Sequence, residues 1–242
     1  MLEIGARFSS FFAFVQGVFC ADIVVQFSAF YHRLWARIVL PPNEKVNVSP
    51  PKIEVAAQAD YDRTMATILM GFASDPLMRW FWPDAGDYLK SRPCLEAMGG
   101  NAVQAGSAYV GAGFEGAALW LPPGAALDEE RVIAFIQQSV AADRLGEVFT
   151  LLGKMDEYHP DEDLWYLPLI AVDPVHQGKG IGSALMKTAL QACDATGYPA
   201  YLESSNPRNI SLYERHGFEA IGQIQEGSSP LVTPMIRPAS PS

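Results

Sequence analysis

The sequence contains few cysteines and few cations. Its three cysteines, Cys20, Cys94 and Cys193, lie far apart and form no CxxC pair, so it indicates neither a disulfide framework nor a zinc site. We therefore expect no metal cofactor and a reducing, cytoplasmic setting. Lys and Arg number 17 against 27 Asp and Glu, a formal net charge of −10. Because nucleic-acid binding needs clustered cations, we expect no nucleic-acid partner and a slight preference for cationic substrates.

The chain also lacks an apolar run long enough to cross a membrane. Residues 8–21 carry no charge, but Asp22 interrupts the apolar stretch that continues to Tyr31. Spanning needs about 20 apolar residues, and an Asp at mid-membrane costs about 2.5 to 3.5 kcal/mol. A signal peptide fits poorly, because Phe19 stands where a small residue is needed. We expect no membrane attachment; residues 1–40 are either an amphipathic helix packed on the body or the product of a start codon placed too far upstream.

A proline-rich segment divides the chain. Residues 40–52 hold four prolines and predict a linker, so we predict an apolar N-terminal segment with its linker over 1–50 and one compact domain over 51–238. Beyond the linker, strand and helix patterns alternate, which predicts an α/β fold. The predicted elements are strand 52–59, helix 61–73, an aromatic loop between Pro76 and Pro83, helix 86–97, a hairpin over 107–124, helix 128–154, strand 164–172, helix 181–196, strand 200–205, a helix capped by Asn206, and strands 218–225 and 231–236.

The predicted strand 164–172 contains a proline. The stretch is nearly all apolar, which is typical of a central strand covered on both faces. Pro168 removes a donor from the hydrogen-bond ladder, and in strands proline usually marks a bulge or an unpaired side. The sequence therefore indicates either a bulge or an unpaired side of the strand at Pro168.

Three glycines alternate just before the predicted helix 181–196, at positions 178, 180 and 182. Amides at a helix N-terminus bind anions because they have no intrahelical partner, so the loop predicts a phosphate-bearing ligand. The sequence has no Walker GxxxxGK[ST] run. Gly178, Gly180 and Ser183 imitate a Rossmann fingerprint, but residues 173–177 separate them from the strand and too little chain follows to build a parallel sheet.

Two motifs carry a resemblance to a known family. The spacing Gln177-x-x-Gly180-x-Gly182 resembles the Q/R-x-x-G-x-G/A pyrophosphate-binding loop of the GNAT acetyltransferases. Residues 204–218 resemble the later GNAT signature, in which an Asn stands seven before a Tyr that is followed by a Gly-Phe pair, here Asn206, Tyr213, Gly217 and Phe218. Asn209 departs from the small residue that many members have four before the Tyr. Together with the region of Trp80, the ALWLPPG run at 118–124, and the EYHP and LWYLPLIAV runs within 157–172, the two motifs resemble the puromycin-acetyltransferase-like small-molecule branch. The resemblance covers roughly 52–237.

The resemblance implies a fold and a cosubstrate. The fold would be α/β (α+β), a mixed central sheet of about six to seven strands, splayed between the fourth and fifth and flanked by helices. The cosubstrate would be acetyl-CoA, with no metal. Backbone groups at Ile170, Ala171 and Val172 would hold the pantetheine arm. The pyrophosphate would be bound by Gln177, Gly178, Lys179, Gly180, Ile181, Gly182 and Ser183, and Asn206 and Tyr213 would also contact the cosubstrate.

Acetylation of an amine requires a neutral amine, a stabilised oxyanion and a proton for the leaving thiolate. The resemblance implies that Tyr213 is the general acid. The base stays open between Glu203 on the facing strand, His159 in a loop, and a water chain without a base residue. Trp80 and Trp82 are either walls of an acceptor pocket or core residues under a long loop.

The resemblance predicts an N-acetyltransferase that acts on a small-molecule amine by direct attack in a ternary complex, as a monomer or homodimer. Two alternatives remain. The first is a non-catalytic acyl-CoA-binding or sensing module, since strand 164–172 has no Glu of the kind some family members use. The second is a protein N-terminal or lysine acetyltransferase, because fold resemblance does not identify the acceptor.

Overall fold

The computed structural model describes residues 50–239 of the chain. The predictions for residues 1–40 and for most of the linker lie outside the described residues. Seven strands of the described part form one sheet in the order β1-β2-β3-β4-β5-β7-β6, in which β4 and β5 are parallel and the other neighbours antiparallel. This mixed sheet confirms the predicted fold class. The strands are β1 Ile53–Val55, β2 Ala108–Gly111, β3 Gly116–Leu121, β4 Trp165–Val172, β5 Ala200–Ser204, β6 Glu219–Ala220 and β7 Thr233–Arg237.

Helices cover both faces of the sheet. They are α1 Tyr61–Gly71, α2 Pro76–Phe81, α3 Ala85–Leu89, α4 Arg92–Gly99, α5 Asn101–Gln104, α6 Glu129–Ser139, α7 Leu145–Tyr158, α8 Ile181–Thr196 and α9 Ile210–Glu214. On one face, the α1 face, apolar side chains of β3 and β4 such as Leu119 and Ala171 pack with α1, α4 and α6. On the other, the α8 face, Ala118 and Leu202 pack with α8.

Three helical predictions need correction. The aromatic loop between Pro76 and Pro83 is instead α2, because Asp75 caps it and Pro76 occupies its first turn. The single helix predicted over 86–97 is divided into α3 and α4. The single helix predicted over 128–154 is divided into α6 and α7; no Gly or Pro lies at that break, and the apolar period continues across it.

Helix α1 ends against β4 at very close range. A Cβ added at Gly71 would lie 2.4 Å from the Cβ of Ala171 and 3.2 Å from the amide nitrogen of Val172. Real Cβ atoms do not approach each other this closely, so glycine at this position lets the helix backbone lie directly on the strand. The contact fixes the C-terminal half of β4 against α1.

Strand β4 contains a bulge beside Pro168, which is one of the two alternatives that the sequence indicated. Leu119 of β3 pairs with Leu169, whereas Leu121, two residues further along β3, pairs with Tyr166, three residues back on β4. One extra residue of β4 is therefore accommodated next to Pro168, where the missing amide donor favours it. The bulge also reverses the alternation of side chains, because Leu167 packs on the α8 face and Leu169 on the α1 face.

Strands β4 and β5 separate immediately before the bulge. Their paired residues in the parallel ladder are Trp165 with Ala200 and Tyr166 with Tyr201. Beyond these pairs β5 stays in the sheet through β7, where Glu203 lies opposite Pro234. The two central strands thus form a V, which is the splay predicted between the fourth and fifth strands.

Candidate active site

A cleft of about 830 Å³ opens at the V between β4 and β5. Its floor is the bulged half of β4, residues 167–172, and one end reaches the glycine loop from His176 to Ser183. The other end lies among α2, α6 and α7 on the α1 face. The cleft therefore joins the glycine loop to a region lined by these three helices.

Backbone groups of β4 face into the V. The amide of Asp173 donates to the carbonyl of Glu115 on β3 at 2.9 Å. Because hydrogen-bonded and non-hydrogen-bonded pairs alternate in an antiparallel ladder, Ala171 faces β3, whereas Ile170 and Val172 turn their N–H and C=O groups away from it. These two residues line the cleft and point toward the side where β5 has separated.

The glycine loop has a backbone conformation that favours glycine at two positions. Gly178 and Gly180 have φ values of +73° and +80°, and an added Cβ at either would meet no atom within 4 Å. Gly180 begins α8 without a side-chain cap. Gln177 donates from Nε2 to the carbonyl of Val172 at 3.2 Å, which ties the loop to β4. Lys179 does not line the cleft; its Nζ donates to the carbonyl of Val175 at 3.0 Å.

A side-chain contact joins the two motifs found in the sequence. Ser183, in the first turn of α8, lies 2.9 Å from the ring Nε2 of His216, which follows α9. Burial lowers the pKa of His216, which favours the neutral ring near pH 7. Asn206 accepts a hydrogen bond from the amide of Arg208 at 3.1 Å and so caps the turn before α9, as predicted.

Tyr213 is buried on α9 and lines the cleft. It belongs to the apolar cluster of the α8 face, where its ring meets that of Phe218 edge-to-face at 6.3 Å. Burial raises the pKa of Tyr213 well above its ordinary value, because the phenolate would lose hydration. The side chain therefore keeps its proton at neutral pH.

Glu203 is half-buried in the cleft and is held by tyrosines. The hydroxyl of Tyr166 donates to its Oε2 at 2.8 Å, and the hydroxyl of Tyr201 is close enough to interact electrostatically, without a hydrogen bond of normal geometry. Burial raises the pKa of Glu203 to about 7, against the lowering effect of the hydrogen bonds. The two tyrosines were missed by sequence reasoning, since no local signal connects them with a carboxylate on another strand.

The carboxyl of Glu203 and the phenol of Tyr213 lie on opposite faces of the sheet. Glu203 and Tyr201 share one side of β5, whereas Leu202 points to the other and packs in the α8 cluster with Tyr213. Tyr166, the hydrogen-bond donor to Glu203, packs against the α1 cluster. A group that can accept a proton and a group that can donate one therefore flank the V from its two sides.

The other predicted acceptor residues have different surroundings. Trp82 is buried, lines the cleft and donates from Nε1 to Ser139 at 3.0 Å. Trp80 does not line it; its Nε1 donates to Ser228 at 3.0 Å. His159 does not line the cleft either, and its ring stacks edge-to-face with those of two tyrosines, Tyr166 at 5.1 Å and Tyr201 at 4.9 Å.

Asp75 is a cleft residue that sequence reasoning missed. Its Oδ1 accepts from the amides of Leu77 and Met78, both at 3.0 Å, and its Oδ2 accepts from the hydroxyl of Ser205 at 2.6 Å. Burial raises its pKa. The Asp-Pro pair with Pro76 was the signal for a helix cap, but nothing local indicated a partner 130 residues away. The bridge joins the start of α2 to the loop after β5.

A comparison with protein families matches residues 77–218 to the Acetyltransferase (GNAT) family. The match covers more than half of the chain. The chain belongs to the GNAT acetyltransferase family. It is an acetyl-transferring enzyme of that family, and the two motifs that predicted the family, at 177–182 and 206–218, both fall within the matched residues.

Relatives of this GNAT chain include an uncharacterized N-acetyltransferase of Schizosaccharomyces pombe, 41% identical over 58 residues, so that the alignment spans 24% of each protein. Among solved structures, the histone acetyltransferase HPA2 and related acetyltransferase of Corynebacterium glutamicum has a TM-score of 0.58 at 24% identity, over 80% of this chain and 99% of that one. Drosophila melanogaster polyamine N-acetyltransferase has a TM-score of 0.54 at 16% identity, over 76% of this chain and 98% of that one. Arylalkylamine N-acetyltransferase 2 of Aedes aegypti has a TM-score of 0.57 at 12% identity, over 79% of this chain and 100% of that one.

GNAT acetyltransferases use acetyl-CoA, and the glycine loop of this GNAT chain suits a pyrophosphate. The 16-residue helix α8 begins without a side-chain cap, at a glycine in the left-handed region, beside open space in the cleft. Its first amides are therefore available to an anion. Within residues 50–239 there is no cluster of His, Cys, Asp and Glu able to hold a metal ion. Within the same residues, no helix has the length and hydropathy to span a bilayer.

Proposed function

We propose that this chain transfers the acetyl group of acetyl-CoA to the amine of a small molecule, by direct attack in a ternary complex. The observation that carries the proposal is the pair of groups flanking the V, Glu203 from the α1 face and Tyr213 from the α8 face. A proton acceptor and a proton donor on opposite sides of one cleft suit a reaction that takes a proton from an amine and gives one to a thiolate.

The proposed cosubstrate residues follow the cleft. The loop Gln177 to Ser183 would bind the pyrophosphate through its amides, and the outward groups of Ile170 and Val172 would bond the pantetheine arm. Acetyl-CoA supplies a thioester whose carbonyl carbon a neutral amine can attack. The amides of β4 that face the V are fixed donors for the oxygen that gains charge during attack, and fixed donors of this kind stabilise such an oxygen by about 3 kcal/mol each.

Glu203 is the proposed base. A carboxyl with a pKa of about 7 is about half ionised at pH 7, and its ionised form can take a proton from an ammonium group directly or through water. Tyr213 is the proposed acid, because its hydroxyl keeps its proton and can deliver it from Oη to the leaving sulfur. His159 is the weaker candidate for the base, since it does not line the cleft.

The class of acceptor is proposed from the cleft and from the neighbours in fold. The Drosophila and Aedes enzymes act, by their names, on polyamines and arylalkylamines, which makes small amines the first class to test. The assay is release of the CoA thiol with a panel of primary amines, with acetyl-CoA binding measured in parallel. Turnover of panel members by the unmodified protein, with a loss of about 100-fold in Glu203→Gln, is expected. Acetyl-CoA binding without turnover of any amine would instead favour a non-catalytic acyl-CoA-binding module.

A further inference from the structure

The end of the cleft beyond Glu203 is apolar. Helices α2, α6 and α7 line it with aliphatic, thioether and aromatic side chains and with no charged group. We call this region the apolar pocket; it is formed by Leu77, Met78, Phe81, Val132, Leu152 and Met155. Small-ligand sites of this kind owe their specificity to the few polar groups at their edge.

Two carboxylates are found among the described residues that line the whole cleft, Asp75 and Glu203. Both oxygens of Asp75 already accept hydrogen bonds, from two amides and from Ser205. Glu203 is the carboxylate that the proposed reaction assigns to the reacting amine. The cleft therefore offers an acceptor one carboxylate, Glu203, and this carboxylate can pair with one cationic group of the acceptor.

Helix α7 carries three acidic residues, Glu147, Asp156 and Glu157, and none of them lines the cleft. Glu147 accepts from the amide and hydroxyl of Ser228, and Glu226 pairs with Lys154. Neither lines the cleft. A second ammonium or guanidinium group that entered the apolar pocket would lose its hydration without gaining a counter-charge, which is strongly unfavourable.

We propose that the acceptor is a primary amine with a single positive charge on an apolar body, and that the apolar pocket rejects acceptors that carry a second cationic group. The inference rests on the proposed function, since it assigns the reacting amine to Glu203. The net charge of −10 attracts dications at long range, so the selection against them arises in the pocket.

Hexylamine and 1,5-diaminopentane test the inference, because they have the same number of non-hydrogen atoms and differ by a methyl against an ammonium group. We expect kcat/KM for hexylamine to exceed that for the diamine by at least about 100-fold. A ratio below about 100-fold, or turnover of other amines but not of hexylamine, would overturn the inference and leave the proposed function standing. Absence of turnover with every amine, while acetyl-CoA still binds, would remove both.

A carboxylate introduced into the pocket should weaken the preference for hexylamine over the diamine. Met155 is partly exposed, and Met155→Glu gives a diamine its missing counter-charge with a side chain of similar length. We expect the hexylamine-to-diamine ratio to fall by at least about tenfold. The matched control is Ile133→Glu, on the exposed side of α6, which adds the same charge outside the cleft and should leave the ratio unchanged. Equal effects of the two variants would contradict the role of the pocket.

Discussion

The hydroxyl of Tyr166 donates a hydrogen bond of 2.8 Å to Glu203 at the point where β4 and β5 separate. Tyr166 is paired with Tyr201 in the last recorded step of the ladder, and Glu203 is the first residue beyond Tyr201 on the same side of β5. The two strands therefore position the carboxylate through their final pair. Burial and this hydrogen bond act on the pKa of Glu203 in opposite directions, and burial is the larger effect.

Tyr166→Phe should move the acid limb of the rate profile to higher pH. Glu203 is the proposed base and is active when ionised; removing a donor to the carboxylate raises its pKa further, by about one pH unit for a hydrogen bond to a charged group. The measurement is kcat/KM against pH from 5 to 9. Tyr198→Phe, a change at an exposed tyrosine, should leave the limb in place. An acid limb at the same pH in Tyr166→Phe as in the unmodified protein would disprove the assignment of Glu203 as the base.

Glu203→Gln should make the fold more stable at pH 8. The pKa of Glu203 is about 7 in the folded chain and 4.5 as its ordinary value, so the folded state favours the protonated form. Its contribution is complete below pH 4.5 and is lost as the pH rises to 7. The neutral amide avoids that loss, and we expect a gain of roughly 2 to 3 kcal/mol at pH 8.

Urea unfolding at pH 8 and pH 5 measures this effect, which should be much smaller at the lower pH. The control is Glu219→Gln, since Glu219 is exposed on β6 and its replacement should change little at either pH. A destabilised Glu203→Gln at pH 8 would contradict the burial of the charge as the cause.

Tyr213→Phe should reduce turnover far more than cosubstrate affinity. Loss of a general acid typically costs about 100-fold or more in kcat, whereas the ring that packs against Phe218 is retained. We expect kcat to fall by about that factor and the Kd for acetyl-CoA to change less than threefold or so. Tyr109→Phe, also buried on the α8 face, is the matched control. An unchanged kcat would remove Tyr213 from the mechanism.

Gly180→Ala should weaken binding of acetyl-CoA, and Gly124→Ala should not. Both glycines have φ near +80° and open space around an added Cβ, so alanine strains each backbone similarly, by about 1 to 2 kcal/mol. Gly180 alone lies in the cleft at the start of α8. We expect equal losses of unfolding free energy and a loss of about tenfold or more in affinity for Gly180→Ala, measured by calorimetry. If Gly180→Ala and Gly124→Ala bound acetyl-CoA with equal affinity, this result would argue against pyrophosphate binding by the loop at Gly180.

Local sequence patterns predicted the parts of the site that are themselves local. The glycine loop, the cap at Asn206 and the bulge at Pro168 each depend on the conformational limits of residues within one short segment. The alternation of strands and helices also followed from the hydrophobic period, and with the family resemblance it led to the correct fold class.

Relationships between distant segments could not be predicted in this way. The bridge from Asp75 to Ser205 and the contact of Tyr166 with Glu203 depend on the tertiary fold, and each residue taken alone has the pattern of a cap or a core position. The break between α6 and α7 has the same origin. Its flanking residues contact α2, where Ser139 receives the Trp82 Nε1–H and Arg144 donates to the carbonyl of Trp80, so packing ends a helix that propensity would continue.

The extra residue at Pro168 sets the parity of β4. The half of the strand after it is fixed against Gly71 and presents the outward amide of Ile170, whereas the half before it holds Tyr166 toward Glu203. Deleting one residue between the halves would turn Tyr166 to the opposite face, away from the carboxylate, while the amides stayed where they are. An insertion or deletion in this strand can therefore keep Tyr166 directed toward Glu203, and the amide of Ile170 directed outward, only if it changes the length by two residues.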